Sequence, residues 1–181
     1  MTLSQMWGAA AGGLCLALSL TGPATGQESF LSPEAEVLAR QGLKAQVAGL
    51  RAEVEALVGD GSGEVDVPRV QQDLAIIAAI LGAFPHLFGE GTSPDALAAA
   101  GSQVTTDAQP AIWDDEESFA AFADSIHTLA LEAAVESDPA ALHGATMALW
   151  DGCTSCHETY LNYTMDLGGG DVGDLDFLND F

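Results

Sequence analysis

The chain has 181 residues, with 4 Lys and Arg against 27 Asp and Glu, for a formal net charge of −23. That balance excludes a nucleic-acid partner, which needs clustered cations against the phosphates, and it argues against docking on an anionic membrane surface. With 48% hydrophobic residues the chain is too apolar for intrinsic disorder, and it is long enough for one domain with its own core.

Residues 1–26 contain no charged side chain, and Gly8 to Leu20 form an apolar run too short to cross a bilayer comfortably. Pro23 breaks the run and Ala24-Thr25-Gly26 supplies small residues for a peptidase, so a signal peptide over 1–26 with cleavage before Gln27 is expected. The expected compartment is the periplasm, with no membrane contact in the mature form. Cys15 leaves with this segment, and two cysteines remain.

Residues 27–165 read as a bundle of four helices. Ser32-Pro33-Glu34 opens the first, with Ser32 as N-cap and Pro33 in the first turn. Leu43, Val47, Leu50, Val54 and Leu57 then recur at spacings of 3 and 4, one apolar face of a helix. Gly59-Asp60-Gly61-Ser62-Gly63 ends it. A second helix starts near Asp66 and carries Val70, Leu74, Ile77 and Leu81 until Pro85. A long Gly-, Ser-, Thr- and Pro-rich connection runs from Gly89 to about Asp114; connections of that length are usually functional or packed. The third helix opens on the acidic turn Asp114 to Glu117 and buries Phe119, Phe122, Ile126, Leu129 and Ala133. Ser137-Asp138-Pro139 separates it from a fourth, Pro139 to about Tyr163, so these two are antiparallel neighbours. Four amphipathic segments without strand alternation give an all-α antiparallel four-helix bundle. Residues 166–181, Gly-rich and acidic, read as a disordered tail.

One motif carries chemistry. Cys153-Thr154-Ser155-Cys156-His157 is a C-x-x-C-H sequence, the pattern of covalent c-type haem attachment. Two thiols three residues apart on a helix each form a thioether to one haem vinyl group. His157, four residues after Cys153, shares their face and reaches the iron as proximal ligand. A zinc site would need about four ligands, and no second cysteine pair remains to complete one. A thioredoxin-like pair belongs at a helix start in a β-α-β context, and a disulfide within one helix is poorly formed. One motif means one haem c. A haem-free helical interaction module, with Cys153 and Cys156 as thiols or a disulfide, is the reading from another class. No second catalytic constellation accompanies the motif, so a carrier or binder rather than an enzyme is expected.

With the haem motif on the last helix, the chain resembles the cytochromes c′, the class II c-type cytochromes. The resemblance runs from about Glu34 to Tyr163. It rests on Arg40-Gln41, Leu87-Phe88-Gly89-Glu90-Gly91-Thr92, Pro110-Ala111-Ile112-Trp113 and Cys153-Thr154-Ser155-Cys156-His157-Glu158-Thr159-Tyr160 in that order. It implies that Arg40 lies by a haem propionate with Gln41 close by, as suits a guanidinium fork beside a carboxylate. It also implies that Asp107, on the loop leading to Trp113, borders the haem edge. Family members are often homodimers through their first two helices.

The sixth iron position divides this family. Some members place a Met four residues after the Arg and carry electrons; others cover the iron with an apolar residue and take nitric oxide or carbon monoxide. Here that position is Lys44, and its neighbour Leu43 falls on the apolar stripe. Met1, Met6, Met147 and Met165 are not placed for the iron. Two readings stand: Leu43 covers a five-coordinate iron, which the periodicity favours, or Lys44 binds it as a neutral amine with a lowered pKa. His86, His127 and His143 have no spacing argument behind them. The family also carries Arg or Lys four residues after the haem His, where this chain has Leu161. The expected work is one-electron transfer, with gas binding as the alternative. After Arg69 there is no Lys or Arg at all, a surface suited either to a basic redox partner or to solubility.

Overall fold

Ser32 opens the first helix as its spacing to Pro33 requires: its hydroxyl accepts a hydrogen bond from the Ala35 amide at 3.2 Å. In the computed structural model, which describes residues 31–162, helix α1 runs Pro33–Val58 and α2 runs Val67–Ala83. Short helices α3 (Pro94–Ala99) and α4 (Ala111–Asp114) follow, then α5 (Glu116–Val135) and α6 (Pro139–Tyr160). The expected signal segment 1–26, the cleavage point at Gln27 and the expected tail 166–181 lie outside the described residues. About 77% of the described residues are helical, and none forms a strand.

The caps explain where the long helices begin. Asp66 accepts from the Arg69 amide, Asp115 from Ser118, and Asp138 from Ala140 and Ala141. Each such cap contributes about 1 kcal/mol by satisfying amides with no helical partner. Two boundaries differ from the sequence expectation. Asp114 closes α4, and Asp115 caps α5 one residue later, because the side chain of Asp115 reaches the Ser118 amide. The last helix stops at Tyr160, because Leu161 leaves it to pair with Ala108.

The helices pack as an antiparallel bundle. Gln71 at the start of α2 donates to the Glu136 carbonyl at the end of α5, so these two run in opposite directions. Gly61, just past α1, lies against His143 near the start of α6, which makes that pair antiparallel as well. Val54, Val58, Val70, Leu74, Ile77, Ile126, Ala130, Leu142, Leu149 and Trp150 form the main core. The α1–α6 pair is the least closely packed of the four neighbouring pairs.

The connection between α2 and α5 is not an open loop. Thr92, Leu97, Ala108 and Ile112 are buried, and α3 and α4 fold it back over the bundle. A second, aromatic core joins it to the end of α6. Phe88 meets Phe119 at 4.8 Å between ring centroids, Phe119 meets Tyr160 at 5.1 Å, and Tyr160 meets Phe122 at 5.8 Å. Edge-to-face contacts at such distances add about 0.5–1.5 kcal/mol each beyond burial.

Candidate functional site

The C-x-x-C-H motif sits inside α6, one to two turns before its end. Thr154 and Ser155, between the cysteines, return their hydroxyls to the carbonyls of Trp150 and Asp151 at 3.0 Å. Both are exposed, while Cys153, Cys156 and His157 are half-buried. Cys153 packs on the main core, and Cys156 bridges that core and the aromatic one. Both are free thiols. Burial pushes each up to about 11, so both are protonated at neutral pH rather than the thiolates a zinc site needs. His157 moves the other way. Burial first, then the charges of Lys44 and Arg51, pull it down to about 4 and keep the imidazole neutral, with a lone pair for a metal.

The cations that act on His157 come from α1, across from α6. Lys44 is half-buried, and burial lowers its pKa, opposed by the Asp107 carboxylate. Arg51 lies with its guanidinium carbon 5.0 Å from the Trp150 ring centroid and pairs with Glu55 at 2.7 Å. Leu43 lines a groove with Gln46, Ala75, Ile76 and Ala79, on the side of α1 that meets α2. The apolar spacing that put Leu43 and Val47 on one stripe mixes two contacts, because α1 faces both α2 and α6.

Arg40 is 4% exposed and is held by the α2–α5 connection. It donates to the Leu87 carbonyl and the Thr92 hydroxyl at 3.0 Å and to the Thr106 hydroxyl at 3.3 Å. Its guanidinium carbon lies 4.2 Å from the Phe88 ring centroid. Burial lowers Arg40 to about 10, with Glu36 opposing, so it remains a cation. Glu36, 3% exposed, accepts from the Gly89 amide at 3.2 Å. The loop lies so close here that a Cβ on Gly89 would stand 2.9 Å from the Glu36 carboxylate. Gln41 donates to the Thr105 carbonyl at 3.3 Å.

Asp107 is exposed and close enough in charge to act on Lys44. Its carbonyl accepts from the Asn162 amide at 2.7 Å, while the Gln109 amide donates to the Tyr160 carbonyl at 2.9 Å. The loop that carries Asp107 is thereby clipped to the chain directly after the haem motif. Leu161 is part of that clip. Trp113, half-buried, gives its indole N–H to the carbonyls of Phe88 and Gly89 at 3.1 Å.

Arg40, Gln41, Lys44 and Asp107 thus gather near one end of α6, with Cys153, Cys156 and His157 on that helix. The other histidines pack elsewhere, His127 over Gly82 and His143 over Gly61, while His86 sits in the turn Phe84–Leu87. The sequence reading missed Arg51 and Trp150. Arg40, Lys44 and Arg51 fall within about 40° of one another around a helix of 3.6 residues per turn, a signal present in the sequence. Trp150 is 3% exposed, and its indole N–H has no hydrogen-bond partner. Two free thiols three residues apart, a neutral imidazole and a buried indole donor on one helix fit a covalently held haem. Among the described residues no three His, Cys, Asp or Glu side chains gather as a metal cage.

Comparison with known proteins agrees with this chemistry. The profile of the family described as cytochrome C′ matches residues 35–161. Cytochrome c-556 of Agrobacterium tumefaciens is 31% identical over 127 residues, which span 69% of this chain and 95% of that protein. A cytochrome c-554 of Cereibacter sphaeroides is 37% identical over 90 residues, covering 49% of this chain and 62% of its own length. The crystal structure of cytochrome c′ from Thermochromatium tepidum superposes with a TM-score of 0.61 at 26% identity, covering 74% of this chain and 98% of that one. The haem-free module weighed from the sequence gives way: the chain belongs to the cytochrome c′ family and is a c-type cytochrome whose cofactor is covalent haem c.

Proposed function

We propose that the protein is a periplasmic one-electron carrier in which Cys153 and Cys156 would hold the haem and His157 and Lys44 would be the ligands of its iron. The observation that carries this reading is the position of Lys44. It stands four residues after Arg40, where the family places its iron-facing residue, and its charge acts on His157 across the α1–α6 pair. Burial favours the neutral amine of Lys44, the form with a lone pair for a metal. Cys153 and Cys156 hold the cofactor, whose iron supplies the ferric/ferrous couple when bound. His157 is kept neutral and in one orientation by α6, while Val47, Leu50 and Trp150 keep water from that side of the bundle.

A second reading, reversible binding of nitric oxide or carbon monoxide at a five-coordinate iron, is favoured by Asp107. Its carboxylate stabilises the ammonium form of Lys44, which cannot bind a metal. The uncharged apolar segment 1–26 supports export, because thioether attachment of haem takes place outside the cytoplasm. The groove between α1 and α2, lined by Leu43, Gln46, Ala75, Ile76, Ala79 and Ile80, holds no charged side chain in a chain of net charge −23, which supports a homodimer through that face. The same overall charge supports a basic redox partner.

Purified protein matured with haem tests the main reading. Haem should survive acid–acetone extraction, titrate reversibly with one electron, and give a low-spin ferric spectrum that turns high-spin in Lys44→Ala. A wild-type protein already high-spin would move the function to gas binding.

A further inference from the structure

Only four Lys and Arg occur in this chain, and three of them, Arg40, Lys44 and Arg51, lie on one stripe of α1. Arg40 is committed to the loop, and Lys44 is given above to the iron. Arg51 is left without a role in either the fold or the ligation. It is two turns beyond Lys44, its side chain is 34% exposed, and its guanidinium rests on the face of Trp150. Trp150 is itself one turn before Cys153 on α6. A cation held over an aromatic ring is attracted by the ring's negative face, by about 0.5–2 kcal/mol according to burial. Trp150, almost fully buried, gives Arg51 a fixed place rather than a solvated sweep.

Trp150 and Cys153 share the main core one turn apart on α6, so the seat of Arg51 lies beside the first thiol of the haem-bearing motif. We infer that Arg51, seated on Trp150, is a cation that sets the reduction potential of the haem.

The sign follows from the charges. One electron lowers the charge of the haem by one unit, so a nearby fixed cation favours the ferrous state and offsets the acidic surface of the chain. Glu55, paired with Arg51 at 2.7 Å, weakens that effect. Arg51 is a positioning residue for charge and not an iron ligand. The inference rests on the electron-carrier reading.

Optical redox titration of the holoprotein tests it, with the ferrous-to-ferric ratio read at one fixed solution potential. Arg51→Gln should lower that ratio about fifteenfold, the size expected for one charge about 10 Å away at an effective dielectric constant near 20. Arg51→Lys should restore most of it. Glu55→Gln, at an exposed position, should move the ratio the opposite way, and both shifts should shrink in high salt. Arg69→Gln, on α2, serves as the remote-charge control and should change the ratio much less. If Arg51→Gln matures poorly, the direction of the Glu55→Gln shift decides. Ratios equal to wild type in Arg51→Gln or Glu55→Gln, with haem content and spectrum intact, would overturn the inference alone. A wild-type protein that does not cycle reversibly would remove the carrier reading beneath it.

Discussion

Arg40 and Phe88 are stacked, the guanidinium carbon 4.2 Å from the ring centroid, although they are 48 positions apart and lie on different elements. The same guanidinium bonds Leu87, Thr92 and Thr106, so a single side chain of α1 ties down both ends of the α2–α5 connection. The resemblance assigns Arg40 to a haem propionate; the contacts described here engage its fork with the loop.

Arg40→Leu therefore leaves the Thr92 and Thr106 hydroxyls and the half-buried Leu87 carbonyl without their donor. Hydrogen bonds to charged groups contribute about 1.5–3 kcal/mol each, and their partners become costly once unpaired. A loss of about 3 kcal/mol in urea denaturation of the holoprotein is expected. Arg40→Lys should recover only part of it, because an ammonium cannot span the same acceptors. An unchanged urea midpoint in Arg40→Leu would contradict the loop role.

Much of this architecture was readable from the chain. Ser32, Asp66 and Asp138 cap helices where the sequence placed their starts, and Val70, Leu74 and Ile77 are buried as their spacing required. The haem motif was legible because its chemistry is local: two thiols and an imidazole within five residues of one helix. The partners across the bundle were not. Leu43 and Lys44 are adjacent in sequence and point to different neighbours, and periodicity alone cannot say which neighbour each stripe meets. The burial of the connection was hidden for the same reason, since Gly89 and Gly91 read as loop residues while they allow a close approach to Glu36 and Pro33.

Asp73 gives the pH dependence a sign. It is 1% exposed on α2, and its pKa is raised by burial, which outweighs the attraction of Arg69 at 3.3 Å. A carboxyl raised in the folded state binds its proton more tightly there than in the unfolded chain. Its contribution to stability is present below the unfolded pKa near 3.8 and is lost as pH rises through the folded value. Asp73→Asn should raise stability at pH 7, by up to about 1 kcal/mol, and flatten the pH dependence of the urea midpoint just above pH 4. A variant less stable than wild type at pH 7 would show that the ion pair with Arg69 outweighs burial.

The uncharged groove of α1 and α2 predicts an effect on assembly. Ile76 is 42% exposed there. Ile76→Glu would set a carboxylate against its copy in a dimer that uses this face, and the sedimentation coefficient should fall to that of a monomer with the spectrum unchanged. Wild type and variant sedimenting alike as dimers would place the interface elsewhere.

His157→Ala separates attachment from ligation. Cys153 and Cys156 still carry the thioethers, so what haem is retained should resist acid–acetone extraction while its absorption bands shift. A variant with the spectrum of the wild type would show that His157 is not the axial ligand.

The central claim, that Lys44 and His157 are the ligands of the iron, is tested most directly by the optical spectrum of the reduced holoprotein before and after carbon monoxide. With Lys44 bound, the wild-type spectrum should be low-spin and indifferent to the gas at neutral pH, while Lys44→Ala should be high-spin and shift on its addition. A wild-type spectrum that is high-spin and shifts with carbon monoxide as readily as Lys44→Ala would contradict the claim and make the protein a gas binder.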